Sequence, residues 1–221
     1  MKNVFKLAAV IIPMMLAAQA EAQLSGLKKP AIPGASSSDT SSAVSQEAIV
    51  QSYVDANVLV LSAQKKLVEA FGLKGLAAEI GAEVDSLSSA STQAGKDDFE
   101  SSTTLSDRAM AEVQAKIDEG AELTAEGRES YIEGLSLTAQ SVIATKDMAE
   151  DAKSFNASAK SEISSASMMK KASVTKKFSA GMFVAAELPG FTSRLTSNFG
   201  SLMAYAKSAD IPIPDDATDA L

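Results

Sequence analysis

Apolar residues recur at every third or fourth position, almost without interruption, between residues 45 and 209. The clearest run is Ile49, Tyr53, Ala56, Val60, Ala63, Leu67 and Ala70. This spacing places the apolar side chains along one side of an α-helix. No segment alternates apolar and polar residues with the period of two that a half-buried β-strand requires. The pattern therefore predicts an all-α fold.

Glycines, prolines and a serine cluster divide this pattern into five or six helices. Gly95 and Gly120 each follow a helical segment, and the serines at 164–167 interrupt the pattern after a segment about 40 residues long. Pro189-Gly190 is typical of a helix stop and is expected to separate the last two helices. The junction Phe71–Lys74 is short enough for either a tight reversal or one kinked helix. Short junctions favour antiparallel neighbours, so we expect an up-and-down helical bundle.

The first 22 residues have the three zones of a cleavable signal peptide. Lys2 and Lys6 give a positive start, residues 7–18 form an apolar run, and Ala20–Ala22 is a small-x-small site. The run is too short to cross about 30 Å of hydrocarbon, which takes about 20 helical residues. We therefore expect an exported chain that is cleaved before Gln23, and the periplasm is favoured over full secretion.

Segments rich in proline and polar residues flank the helical region. Residues 23–44 contain two prolines, two glycines and a serine cluster, and residues 210–221 contain two prolines and four aspartates. Such segments bury too little apolar surface to offset the entropy lost on ordering. They are predicted to be a flexible linker and a disordered acidic tail on either side of a helical bundle domain at 45–209.

Two residue types that carry much of enzyme chemistry are missing, since the chain has no histidine and no cysteine. Histidine bases, thiol nucleophiles, disulfides and zinc sites with imidazole or thiolate ligands are therefore excluded. We expect no catalytic residues, no cofactor and no metal site. The net charge of −8 also repels phosphate backbones, so no nucleic-acid partner is expected.

Three glycines lie seven residues apart, at Gly120, Gly127 and Gly134. On one continuous helix they would line a groove that lets a partner helix approach closely. The favoured interpretation gives them separate roles. Gly120 would end one helix, Gly127 would lie in the first turn of the next, and Gly134 would be a small packing position.

Four lysines concentrate positive charge in the segment Met168–Phe178: Lys170, Lys171, Lys176 and Lys177. Together they form a candidate basic interaction patch that suits phosphate headgroups or an acidic partner. The favoured alternative is an ordinary solvated helix face.

These observations favour an exported, non-catalytic bundle that binds another protein of the cell envelope, as an adaptor, chaperone or scaffold. No stable membrane insertion is expected after cleavage. The alternative is a carrier that holds a lipid or another apolar ligand between its helices. Its cavity would be lined by Tyr131, Leu135, Phe178, Met182 and Phe199. A hydrolase is least favoured, because the chain has Ser-x-x-Lys patterns without the companion Ser-Asp-Asn and Lys-Thr-Gly elements.

Overall fold

The computed structural model describes residues 44–220, and every regular element in that range is helical. The prediction of an all-α helical bundle is therefore confirmed. The predicted signal peptide, and the predicted linker as far as residue 43, lie outside the described residues. The α-helices are α1 (Gln46–Ala70), α2 (Lys74–Ala90), α3 (Lys96–Asp118), α4 (Ala125–Ser165), α5 (Met168–Ser208) and α6 (Asp215–Asp219).

Helix α1 is the central element and packs against α2, α3, α4 and α5. It begins at Ser45, whose hydroxyl accepts a 3.1 Å hydrogen bond from the N–H of Ala48 and so satisfies one free donor of the first turn. The apolar stripe seen in the sequence is buried along its whole length: Ile49, Tyr53, Ala56, Val60, Ala63, Leu67 and Ala70. Removal of this stripe from water is the main attraction that gathers the other helices around α1.

The junction between α1 and α2 is a tight reversal, which decides between the two conformations that the sequence left open. Gly72 has φ of +73°, a left-handed conformation that glycine adopts without a steric penalty. The N–H of Gly72 donates to the carbonyl of Glu69, and the N–H of Leu73 donates to that of Val68, both at 2.9 Å. These two bonds cap the end of α1 and turn the chain back along it.

The three spaced glycines have separate roles, as the favoured interpretation proposed. Gly120 ends α3 with φ of +71°. Gly127 and Gly134 both lie on α4 and face α1, where a Cβ atom on Gly127 would come within 2.6 Å of the carbonyl oxygen of Ala70. One on Gly134 would come within 2.8 Å of Leu67 Cγ. These two glycines therefore allow the close approach of α1 and α4.

Helix α5 continues through Pro189, so the predicted helix stop at this proline is wrong. Proline has no N–H, and the helical hydrogen bond to the carbonyl of Ala185 is lost at a cost of about 3 kcal/mol. Leu188 and Phe191, on either side of the proline, are both buried, and so is Leu195 one turn later. Because each such side chain gains about 1.5–3 kcal/mol on burial, packing on the core outweighs the broken bond.

The segment after α5, predicted to be a disordered acidic tail, is folded against α4 over residues 210–220. Arg128 donates from its guanidinium to the carbonyl of Asp210 at 3.1 Å. Lys146 donates to the carbonyl of Ala220 at 2.9 Å. The side chains buried here are Ile211, Ala217 and Ala220. The polar composition of this segment predicted disorder, but its few apolar residues lie in contact with the core.

Candidate functional site

Helices α4 and α5 form a long antiparallel hairpin that runs past the other helices at one end. Helix α1 lies alongside α5 and runs parallel to it. Near the start of α1, the N–H of Gly181 donates to Gln46 Oε1 at 3.4 Å. Just after its end, the ring centroid of Phe71 lies 5.7 Å from that of Tyr205. Thirteen residues of α5 precede Gly181. At about 1.5 Å per residue they carry the hairpin about 20 Å beyond the start of α1.

The end of this hairpin exposes two large apolar side chains. Met168 and Met169, the first two residues of α5, are 95% and 96% exposed. Of the large apolar side chains that the structure describes, only Ile143 is also classed as exposed, at 36%. We call the exposed surface made by the following six residues the hairpin tip: Met168, Met169, Lys170, Lys171, Lys176 and Lys177.

The four lysines of the predicted basic patch are all exposed and all belong to the first three turns of α5. At about 100° per residue they surround the helix instead of lining one face. Lys177 pairs with Glu162 at 3.3 Å, and its ammonium lies 4.6 Å from the centre of the Phe178 ring. The methionines precede these lysines directly in the sequence, and what the structure adds is that both methionine side chains are exposed.

The five side chains predicted to line a ligand cavity are divided between two ends of the hairpin. Tyr131 is fully buried and its hydroxyl donates to the carbonyl of Leu202 at 2.8 Å. Phe178 packs edge-on against Phe155, with ring centroids 5.9 Å apart. Since 24 residues separate Phe178 from Leu202 in α5, the two regions are about 36 Å apart along the helix. The remaining three are Leu135 and Phe199, which are buried, and Met182, which is half-buried.

An open groove of about 730 Å³ runs along the surface between α4 and α5. Pro189 lies in its wall. The hydroxyls of Thr192 and Thr196 bond back to carbonyls of their own helix, at 2.9 Å each, which leaves the wall mostly apolar. The groove is lined by Ala149, Ala152, Lys153, Asn156, Ala185, Leu188, Pro189, Thr192, Ser193, Thr196 and Ser197. None of the five predicted cavity residues is among them. The sequence feature that could have indicated the groove is the set of small side chains on both sides of Pro189.

Two polar contacts outside the groove and the hairpin tip have structural roles. Asp98 Oδ2 accepts a 2.8 Å hydrogen bond from the N–H of Gly95 and caps α3. Arg108 pairs with Glu79 across a cleft between α2 and α3. Within residues 44–220 no group of three or more carboxylates is placed to hold a metal ion.

Burial raises the pKa of Tyr53, Tyr131 and Tyr205 above the ordinary value for a phenol. For Tyr53 and Tyr131 the burial is nearly complete. These phenols therefore stay neutral at physiological pH and serve as packing and hydrogen-bonding groups.

Comparison with protein-family models, with curated proteins and with solved structures finds no match to this chain. No helix within the described residues combines the length and the apolar character needed to cross a membrane.

Proposed function

We propose that this chain is an exported, non-catalytic helical-bundle protein of the cell envelope that binds another protein, as an adaptor, chaperone or scaffold. The observation that carries the proposal is the open apolar groove between α4 and α5. Mostly apolar clefts between the helices of a bundle are a common place for a bound ligand or partner segment.

The shape of the groove favours a segment of a partner protein as its occupant. Seven residues of α5 line it, the first being Ala185 and the last Ser197. They span about 18 Å of the helix, or about three turns. Small side chains such as Ala149 and Ala152 permit a close backbone approach. Laying one apolar helix face into such a groove is a common mode of peptide recognition.

The sequence supports the cellular location in this proposal. Lys2, Lys6 and the apolar run at 7–18, followed by Ala20–Ala22, form an export signal. The chain has no cysteine, so the exported protein is held together by its helical core without disulfides. We place the processed protein in the periplasm, with release from the cell as the alternative.

A carrier of a lipid or another apolar ligand is the second candidate function, and the same groove supports it. Its volume of about 730 Å³ falls within the range of about 300–1,000 Å³ found for small-molecule pockets. Such pockets, however, bury about 70–90% of their ligand. The groove is open along its side, so a protein segment that brings its own polar face suits it better.

The absence of cysteine allows a sharp test. Ser193→Cys places one thiol in the groove, and Ser88→Cys places one on the exposed surface of α2 as a matched control. Each variant is labelled with a photo-activated cross-linker and irradiated in the envelope of the producing cells. We expect a discrete protein adduct from Ser193→Cys alone, and its loss when Ala149→Phe fills the groove.

The other outcomes are equally informative. A lipid adduct at Ser193→Cys would favour the carrier. Identical adducts from both cysteine variants, or no adduct from either, would contradict a binding role for the groove.

A further inference from the structure

The hairpin tip differs sharply in charge from the rest of the molecule. Between residues 160 and 177 there are five lysines and one glutamate, whereas the whole chain has a net charge of −8. Among ion pairs between residues 44 and 220, Lys177 alone of these lysines takes part in one, with Glu162. The tip is therefore a basic end on an acidic molecule, and its field attracts an anionic surface and orients the hairpin toward it.

The two methionines give the same end of the hairpin a small exposed apolar surface. Met168 and Met169 lie next to Lys170 and Lys171 and are almost fully exposed. The surface is convex, because the hairpin projects about 20 Å beyond the start of α1. Exposed apolar side chains flanked by lysines suit the boundary between headgroups and acyl chains, because the apolar groups can be buried while the ammonium groups contact anionic headgroups.

The size of the tip argues against a stable protein interface there. Stable protein partners contribute about 20–30 residues on each side. The tip offers six residues, and they surround a helix end instead of forming a flat or concave patch. A fluid lipid surface adapts to a narrow convex tip, which a rigid protein surface does not.

We propose that the hairpin tip binds anionic phospholipid surfaces, with the lysines on the headgroups and Met168 and Met169 inserted at the level of the first acyl carbons. This proposal is independent of the groove between α4 and α5. Contact of this kind is shallow and reversible, and it requires no helix that crosses the bilayer. If both proposals hold, the protein presents its groove at a fixed distance from the membrane surface.

The first test measures partition of the full chain onto vesicles of phosphatidylcholine, with and without about 30% phosphatidylglycerol, a lipid that gives the surface a negative potential. Lys170→Gln with Lys171→Gln is compared with a control pair, Lys74→Gln with Lys207→Gln, which removes the same charge at exposed sites near the opposite end of the hairpin. We expect the tip pair to weaken partition about 30-fold and the control pair to have little effect.

The second test measures insertion and is possible because the chain has no tryptophan. Met169→Trp introduces one reporter at the tip, and Ala204→Trp introduces one at an exposed site near the other end of α5. We expect anionic vesicles to shift the emission of the first variant to the blue and to leave the second unchanged. Circular dichroism of each variant confirms that it is folded.

Several results would overturn the lipid proposal. They are equal partition onto neutral vesicles, equal losses from the two lysine pairs, or an unchanged emission of Met169→Trp. Binding to an acidic protein surface without binding to anionic vesicles would assign the tip to a protein partner instead.

Discussion

The hydroxyl of Tyr131 on α4 donates a 2.8 Å hydrogen bond to the carbonyl oxygen of Leu202 on α5, inside the core. The ring of Tyr131 also packs against Phe71 and Tyr205, with centroids 6.1 Å and 5.4 Å away. One side chain thus joins three helices at the end of the bundle remote from the hairpin tip.

We expect Tyr131→Phe to lower the free energy of unfolding by about 1 kcal/mol, because the buried hydrogen bond is lost while the ring packing is kept. Urea denaturation at pH 7 measures the change. Tyr205→Phe is the matched control, since its hydroxyl donates to the carbonyl of Ala121 in a partly exposed position where water replaces it. An equal loss in both variants would contradict this explanation.

The same residue makes the protein sensitive to alkali. Burial, and to a smaller extent Tyr205, raise the pKa of Tyr131 in the folded state above the ordinary value of 10.0. The folded protein therefore holds the phenolic proton more tightly than the unfolded chain does. The resulting stability is fully present below about pH 10 and is lost as the pH rises further.

Urea midpoints between about pH 9 and pH 11 test this dependence. We expect the midpoint of the wild-type protein to fall across this range, and that of Tyr131→Phe to fall less steeply. Lysine deprotonation affects both proteins alike, so the difference between the slopes isolates the tyrosine. Identical slopes would show that Tyr131 is not responsible.

Gly181 on α5 packs directly against the ring of Phe155 on α4. A Cβ atom there would lie 2.4 Å from Cζ of Phe155, which is itself buried. We expect Gly181→Ala to destabilise the protein by about 1–3 kcal/mol through overpacking. Gly200→Ala, on the same helix with no atom within 4 Å of the added methyl, should stabilise it by up to about 1 kcal/mol. Thermal denaturation measures the change in stability of each variant. A change in the same direction for both would contradict the packing described for Gly181.

The packed C-terminal segment predicts that truncation is costly. A chain that ends at Ala209 loses the buried side chains of Ile211 and Ala217 and uncovers part of α4. We expect a loss of at least about 2 kcal/mol in the free energy of unfolding, measured with urea. Thr218→Ala, at an exposed site in the same segment, should have little effect. If the truncated chain were as stable as the full chain, the result would support the disordered tail that the sequence predicted.

Export predicts a defined N-terminus for the chain recovered from the cell envelope. We expect intact-mass measurement to show a protein that begins at Gln23, or at Glu21 if cleavage follows Ala18–Ala20. Ala20→Arg disrupts both small-x-small sites and should leave the N-terminal segment attached. A wild-type chain that retains residues 1–22 would contradict the signal peptide.

Local sequence was sufficient for most helix positions because apolar spacing and capping residues act within a few turns. It identified the stripe from Ile49 to Ala70 and the end of α3 at Gly120. It failed at Pro189, where burial of Leu188 and Phe191 outweighs the broken hydrogen bond. It also left the Phe71–Lys74 junction open, because both alternatives satisfy the local rules and only packing of α2 on α1 decides between them.

The candidate surfaces also depend partly on local sequence and partly on tertiary structure. The four lysines from Lys170 to Lys177 were visible as a charge pattern, but the exposure of Met168 and Met169 depends on how far the hairpin extends past α1. The groove between α4 and α5 depends on small side chains from residues about 40 positions apart. No local pattern brings such positions together.

The sequence by itself determined the helical class, most helix boundaries and the chemistry that the chain lacks, because these follow from spacing and from residue types. Only the tertiary structure decided the continuity of α5, the packing of residues 210–220, the separation of the predicted cavity residues and the projection of the hairpin tip. Those features depend on apolar surface buried between segments distant in the chain, a free energy that exceeds local preference and cannot be computed from neighbours in sequence.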